Sequence, residues 1–303
     1  MSCKLLVITG PTACGKTARG VACARTFNGE IVSADSRQIY RGMDLGTGKD
    51  LEEYGDIPYH LIDIADAGYK YNLFEYLRDA DAAIEAIRNR GRLPIVVGGT
   101  GLYVEALLNG LHLPQVPINQ ELRDKLSGYS LEELTKILSQ IKALHNTTDI
   151  DTAKRAIRAI EIATYYTEHP EEATNTAPHP IEDAVTICVD IPRELRRERI
   201  SKRLHTRLEQ GMVAEVESLL QNGIKPEDLI YYGLEYKFLT EYITGKLSYD
   251  EMVEKLEIAI HQFAKRQMTW FRGMERRGHK LHFLPYNLDN EEFISKVKEI
   301  AEL

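Results

Sequence analysis

Gly10 to Thr17 reads GPTACGKT and fits G-x-x-x-x-G-K-[ST], between an apolar run, KLLVIT, and a stretch of helical periodicity. In that setting the glycines let successive backbone N–H groups turn inward around phosphate oxygens, and the helix N-terminus adds a favourable dipole. Gly10, Pro11, Thr12, Ala13, Cys14, Gly15, Lys16 and Thr17 are therefore candidate contacts for a diphosphate or nucleotide. Lys16 brings a mobile positive charge, and the Thr17 hydroxyl is a candidate ligand for Mg2+. The pattern does not name the reaction. A phosphoryl transferase usually carries a second acid at the end of a later apolar strand, to organise Mg2+ around the γ-phosphate. Here the best later strand ends in VVGGTG, without a carboxylate. Asp63 in LIDI and Asp190 in ICVD are the available substitutes, and each reads more readily as a strand-end or capping residue. A loop that grips diphosphate without that apparatus raises a second option, in which diphosphate is a leaving group.

A carboxylate that could serve such chemistry follows in SADSRQIYRG, where Asp35 closes the second apolar run. In open parallel sheets that edge binds ligands, which would set Asp35 facing the phosphate loop. An Asp closing a turn with Ser36 is the alternative, and position alone leaves the two level. Arg37 and Gln38 place donors beside the acid, suited to bases and phosphates. Farther on, Arg199, Arg203 and Arg207 recur at i, i+4 and i+8 beside Ile200, Leu204 and Leu208. That spacing suits an ordinary amphipathic surface as well as a cationic row for a departing anion. GGTG turns a strand into a helix and offers N–H groups and the Thr100 hydroxyl to a nucleotide backbone. A helix from near Asp151 sets Lys154, Arg155 and Arg158 on one face, opposite Ala153, Ile157 and Ile160; alone, such a face is commonly just solvated. KRQMTWFRGMERRGHK is also basic, and its Trp270 and Phe271 suit a core at least as well as a stacking platform.

The elements that must position these residues are legible in the hydrophobic pattern. The first part of the chain alternates apolar runs (KLLVIT, EIVSAD, YHLIDI, LPIVVGG) with helical patterns, which signals an α/β parallel sheet. Asn72 and Glu75 stand at capping-box spacing and open a helix that runs to about Asn89. Between LPQVPIN and PHPIEDAV, a section with prolines at both ends, strand signals vanish and two helical patterns remain, one opened by Ser130 and Glu133. AVTICVD then returns to the sheet, a long helix starts at Ser248 with Glu251 and runs to near Trp270, and HKLHFLPY suits an edge strand. The expected domains are an α/β core of residues 1–117 and 184–303 and a helical insertion, 118–183.

Composition narrows the class. The chain has 303 residues with 43% hydrophobic and 28% charged content, which suits a globular protein with proper cores. No run approaches the roughly 20 apolar residues of a membrane span, and the N-terminus reads as a strand rather than a signal peptide. The four cysteines, Cys3, Cys14, Cys23 and Cys188, form no C-x-x-C pair and lack His at zinc-ligand spacing, so a reduced, cytoplasmic protein is the default. A net charge of −8 discourages indiscriminate nucleic-acid binding but leaves room for a local basic groove.

Taken together, GPTACGKT, SADSRQIYRGMDLGTGK, PYHLIDI, GGTGLYVEALLNG, the basic helix around Arg199 and Arg203, and KRQMTWFRG resemble the bacterial tRNA dimethylallyltransferases. These are also called tRNA isopentenyltransferases, the IPP transferase family, and the resemblance covers most of the chain. Cys14 stands where Ser is common, GTGKD replaces GTAKP, YYGLEYK loosely matches IGYKE, and DTAKRAIRAIE is a looser version of an Arg-rich helix. The resemblance implies a P-loop NTPase-like parallel sheet flanked by helices, with a helical insertion. It implies transfer of a dimethylallyl group from dimethylallyl diphosphate to the exocyclic amine of the adenosine 3′-adjacent to the anticodon in tRNA. Asp35 then matches the general base, Arg199 with Arg203 in support is the arginine for the diphosphate, and Thr17 holds Mg2+. Ser36, Arg37, Gln38, Thr100, Gly101, Arg123, Lys154, Arg155 and Arg158, with Asp35, fall on tRNA-contacting segments. The expected partners are the tRNA anticodon stem-loop and dimethylallyl diphosphate, for a cytoplasmic monomer without a membrane. A nucleotide kinase, a prenyl transferase acting on free AMP or ATP, and a non-catalytic RNA-binding module are the alternatives; the insertion and its basic face argue for RNA over a free nucleotide.

Overall fold

The computed structural model describes residues 4–111, 113, 116–142, 150–173 and 178–303; Cys3 and the Pro114 of LPQVPIN lie outside them. In chain order the elements are β1 (Leu5–Thr9), α1 (Lys16–Thr26), β2 (Gly29–Ser33), β3 (Tyr59–His60), α2 (Leu73–Asn89), β4 (Leu93–Gly98) and α3 (Gly101–Leu108). Four helices follow, α4 (Gln120–Leu126), α5 (Leu131–Ile141), α6 (Ala153–Glu168) and α7 (Pro170–Ala173). The chain continues through β5 (Ala184–Asp190), α8 (Arg193–Glu209), α9 (Met212–Gln221), α10 (Pro226–Tyr231), α11 (Leu234–Ile243), α12 (Tyr249–Arg276), β6 (Leu281–Pro285) and α13 (Asn290–Ala301). It divides into two compact units, residues 1–109 with 180–303 and residues 110–179.

The larger unit is built on one six-stranded sheet, ordered β3-β2-β4-β1-β5-β6, with every neighbouring pair parallel. Parallel strands are covered on both faces, so they read as continuous apolar runs, and LLVIT is buried along its whole length. From β1 the chain moves outward to β2 and β3, returns to β4 between β2 and β1, and later fills the other side with β5 and β6. The reversal leaves a crevice at the carboxyl ends of β1, β2 and β4. The apolar faces of β1, β4 and β5 pack with α1 and α13 into a core that includes Leu6, Ile8, Ile95, Ile187 and Phe293.

Close approach of two strand exits shapes that crevice. The Ala34 N–H donates to the Val97 carbonyl at 2.8 Å, and the Thr100 N–H returns a bond to the Ala34 carbonyl at 3.1 Å. A side chain on Gly98 would collide with the Ala34 backbone, so only glycine fits between the exits of β2 and β4. YHLIDI is shorter as a strand than expected, with only Tyr59 and His60 paired to β2. Leu61 and Asp63 take positive φ angles of 62° and 55°, which turn the chain off the sheet. There Asp63 ion-pairs with the fully buried Lys49, whose ammonium also meets the Asp44 carboxylate at 2.7 Å and the Tyr40 carbonyl at 2.6 Å. α12 outruns its expected end at Trp270 and reaches Arg276. β6 forms the sheet edge as expected.

The smaller unit is helical. Leu134 and Leu138 of α5 pack on Ala156, Ala159 and Ile160 of α6. Ser130 with Glu133 closes a capping box on α5, and Thr152 caps α6. Glu161, only 2% exposed, accepts from the Asn119 N–H at 2.6 Å and from the Arg123 guanidinium at 3.0 and 2.8 Å, and it ion-pairs with Arg158. Among the described residues no helix is long and apolar enough to cross a membrane.

Gly98→Ala is expected to destabilise the larger unit by about 3 kcal/mol, the upper part of the usual overpacking range, because the obstacle is backbone in a hydrogen-bonded sheet. Urea unfolding followed by circular dichroism measures it; an unchanged midpoint would show that the β2 and β4 exits can separate freely.

Candidate functional site

The first wall of the site is the segment between β1 and α1. Thr9, at the end of β1, donates its hydroxyl to the Gly98 carbonyl at 2.8 Å, which sets the loop beside the β4 exit. Gly10 has φ 151°, and an added side chain would meet the Cys14 sulfur at 2.8 Å and the Val189 carbonyl at 3.0 Å. Gly15 caps α1 in the left-handed region and supplies no side-chain acceptor, so the first N–H groups of the helix remain available to an anion. Thr12, Ala13, Gly15, Lys16 and Thr17 line a cavity of about 580 Å3, while Pro11 and Cys14 are buried behind them. Burial pushes the Cys14 thiol up, so it stays protonated and its side chain serves as packing.

The exits of β2 and β4 form the second wall. Asp35 lines the cavity, and its Oδ1 also accepts the Arg37 N–H at 3.0 Å. One oxygen thus closes a local turn, with Arg37 rather than Ser36, and among the described residues Oδ2 takes no hydrogen bond. The Ser36 N–H donates to the Thr100 hydroxyl at 3.0 Å, which ties the two strand exits together. Arg37 reaches the Tyr231 carbonyl at 3.2 Å. Gln38 lines the cavity too, but its amide donates to the Gly48 carbonyl at 3.1 Å and accepts from the Ser33 hydroxyl at 3.3 Å, so its capacity to read a base is largely spent. Gly101 opens α3 directly against the Trp270 ring, where a side chain would collide.

Helices α8, α11 and α12 complete the enclosure. Arg203 of α8 donates to the Thr12 hydroxyl at 2.6 Å and lines the cavity. Burial and the neighbouring Arg207 disfavour its charge, which makes it receptive to an anion. Arg207 itself is buried on Asp50, at 3.0 and 3.1 Å from the two carboxylate oxygens. Burial raises the carboxyls of Glu53 and Glu235, both on the cavity wall, with Asp50 adding to the effect at Glu53 and Arg203 and Arg37 opposing it at Glu235. Leu102, Leu234, Ile260 and Phe263 make part of the wall apolar. Gln267 of α12, 8% exposed, accepts the Thr12 N–H at 2.9 Å and donates to the Gly99 carbonyl at 2.8 Å.

Several sequence expectations need correction. Arg199 does not line the cavity: it is exposed, with its guanidinium 4.9 Å from the ring centroid of Tyr286. The arginine at the phosphate loop is Arg203, one turn later. Asp63, engaged by Lys49, and Asp190, exposed at the end of β5, do not line the cavity, which accords with the non-catalytic reading preferred for both. In the smaller unit, Arg123 and Arg158 are held by Glu161, and Arg155 ion-pairs with Asp151, so of that expected basic face Lys154 alone is exposed and unpaired among the described residues. Phe271 is core, whereas Trp270 is 39% exposed and lines the cavity. Arg266 and Gln267 enter the sequence reading only as part of a basic stretch, and Phe263 is not singled out, although 263, 266, 267 and 270 share one face of a helix. Asp50 and Glu235 lie in GTGKD and YYGLEYK, segments noted for their likeness to the family without a role for either acid, and Glu53 carries no local signal.

The family model described as IPP transferase matches residues 38–274, and so begins just past the phosphate loop and Asp35. The tRNA dimethylallyltransferase 2 of Bacteroides fragilis is 61% identical over 299 residues, covering 97% of each chain. The tRNA dimethylallyltransferase 1 of Parabacteroides distasonis is 57% identical over 303 residues, covering 99% of this chain and 98% of the relative. Among solved structures, the full-length tRNA isopentenylpyrophosphate transferase from Bacillus halodurans superposes with a TM-score of 0.73 at 31% identity, over 99% of this chain and 97% of that one. A eukaryotic dimethylallyltransferase acting on tRNA gives a TM-score of 0.79 at 26% identity, over 99% of this chain and 77% of that one. With the match covering most of its length, this chain belongs to the IPP transferase family.

Proposed function

We propose that this protein transfers the dimethylallyl group of dimethylallyl diphosphate to N6 of the adenosine 3′-adjacent to the anticodon in tRNA, releasing diphosphate. The observation that carries the reading is the shared cavity, in which a phosphate loop and the Asp35 carboxylate meet while the β4 exit bears no acid. The relatives named tRNA dimethylallyltransferase support it.

An adenine amine is a weak nucleophile because its lone pair is delocalised into the ring. As the bond from N6 to the allylic carbon forms and the carbon–oxygen bond to diphosphate breaks, Asp35 accepts the N6 proton. Negative charge builds on the departing diphosphate, where the loop N–H groups, Lys16 and Arg203 receive it. The apolar wall of Leu102, Leu234, Ile260 and Phe263 takes the dimethylallyl chain and keeps water from the activated carbon. Mg2+ suits the donors present, because the Thr17 hydroxyl and the diphosphate oxygens are hard oxygen ligands that leave room for coordinated water. When bound, it neutralises charge on the diphosphate. Ser36, Arg37, Thr100 and Gly101 surround the entering nucleotide, with Trp270 offering a ring face to the base, and Lys154 gives the smaller unit's contribution to tRNA. The enzyme works in the cytoplasm as a monomer.

The direct test incubates the protein with tRNA and either labelled dimethylallyl diphosphate or labelled ATP, then weighs the digested nucleosides. Label from the prenyl donor on an adenosine is expected; phosphoryl transfer from ATP with the prenyl donor ignored would identify a kinase instead. Asp35→Ala should lower kcat by about 10²- to 10⁴-fold, the usual span for a lost general base, while tRNA affinity holds within a few-fold. A fully active variant would remove Asp35 from the chemistry. Arg203→Ala should cut kcat/KM for the donor by about 10²- to 10³-fold, and Arg199→Ala should change it by no more than about three-fold. The reverse ranking would return the diphosphate role to Arg199.

A further inference from the structure

Between the first two turns of α8 and the middle of α12 lies a second concavity of about 290 Å3. Its cations are Arg193, Arg196 and Arg197 from α8 and Lys265 from α12, with His261 beside them, and no carboxylate lines it. Arg196 is 8% exposed, yet among the described residues its guanidinium has neither an ion pair nor a hydrogen bond. Arg207, buried to the same degree, is matched by Asp50. Burial and the nearby Arg193 and Arg272 all disfavour the Arg196 charge, while Asp190 and Cys14 act the other way without pairing with it. The position adds to the cost. These three arginines crowd the N-terminal end of a 17-residue helix, where the dipole is already positive and Pro192 provides no side-chain cap. A largely covered cation in that field, without a partner among the described residues and with its nitrogens still open to solvent, favours an arriving anion.

We propose that this concavity holds phosphodiester oxygens of the RNA whose adenosine enters the catalytic cavity, an inference that rests on the tRNA reading above. Continuity of charge favours an RNA strand over a free phosphate. Lys265 also lines a groove of about 700 Å3 along α12, together with Arg266 and Trp270. Arg266 and Trp270 in turn line the catalytic cavity, so cations run from its mouth to Arg196 with no lining carboxylate between. In a chain of net charge −8 such a strip does not follow from composition. A free anion would need only the far end of it; a strand with one charge per nucleotide uses its whole length. The Arg196 cluster thus anchors the backbone while one base is drawn inward.

The test is tRNA binding by the full-length protein across a salt series, with wild type, Arg193→Ala/Arg197→Ala, and Arg196→Gln. A control, Lys202→Ala/Lys296→Ala, removes two exposed charges elsewhere. The arginine variants should raise Kd for tRNA about 10-fold at low salt and make the slope of log K against log salt shallower by about one to two, as each lost phosphate contact removes roughly 0.7–0.9. The loss should appear in KM for tRNA, and the control should match wild type. Arginine variants that bind tRNA like the control overturn the proposal, as does a weakening that is the same at every salt concentration. Variants that lose affinity for inorganic phosphate but retain that for tRNA also overturn it, and identify a free-anion site. Wild type that fails to bind or modify tRNA defeats the functional reading instead, so the two failures are distinct.

Discussion

The side-chain amide of Gln267 is the joint on which the site depends. It takes the Thr12 N–H and gives to the Gly99 carbonyl, and so clamps the middle of α12 across the loop after β1 and the loop after β4. Each bond is worth only about 1 kcal/mol net, but loss of the amide would leave polar backbone groups covered and unpaired, which costs more than the bonds contribute. The clamp also fixes the register of α12. With Gln267 pinned, Phe263 and Trp270 fall one turn to either side of it on the cavity wall, and Ile260 falls two turns before it. An apolar wall, an anion loop and an aromatic face are thus set by one buried amide.

Electrostatics in the cavity are arranged by helix geometry rather than by charge count. Arg199, Arg203 and Arg207 are spaced by four residues, and each step of four turns the direction on α8 by about 40°. Over the series the side chains sweep from solvent to interior. Arg199 lies on Tyr286, Arg203 reaches Thr12, and Arg207 is buried on Asp50. Only the middle member has both the direction and an uncommitted charge at the loop. Glu53 and Glu235 stand in the same enclosure with carboxyls raised by burial, which lessens their opposition to an incoming anion.

What could be read from the sequence was local. The capping boxes at Asn72, Ser130 and Ser248 all form, because each is decided by residues three apart. The strand, loop and helix around GPTACGKT were legible because the pattern and its flanks lie within one short segment. Asp35 could be placed at a strand end but not aimed, since its surroundings come from Thr100, 64 residues away by the Ser36 bond. Glu161 shows the opposite failure. Its buried position depends on Asn119 and Arg123, outside its own helix, so arginines that looked like a free basic face turned out to be its partners. α10, α11 and α13 went unread, although Asp289 and Glu292 form a capping box that opens the last of them.

The bare exit of β4 is what separates this cleft from a phosphoryl-transfer site, and packing explains why it is bare. A carboxylate there would have to grow from position 98 or 99. At 98 any side chain strikes the Ala34 backbone, and at 99 it would come within 2.7 Å of the Gln267 amide nitrogen. Ala34 immediately precedes Asp35, so the contact that excludes an acid from β4 is the same one that sets the β2 acid opposite the phosphate loop. Relieving the first would displace the second. The Gly98–Ala34 contact thus leaves no room for a metal-organising acid at the β4 exit, and the only strand-end acid it sets beside the phosphate loop among the described residues lining the cavity is Asp35.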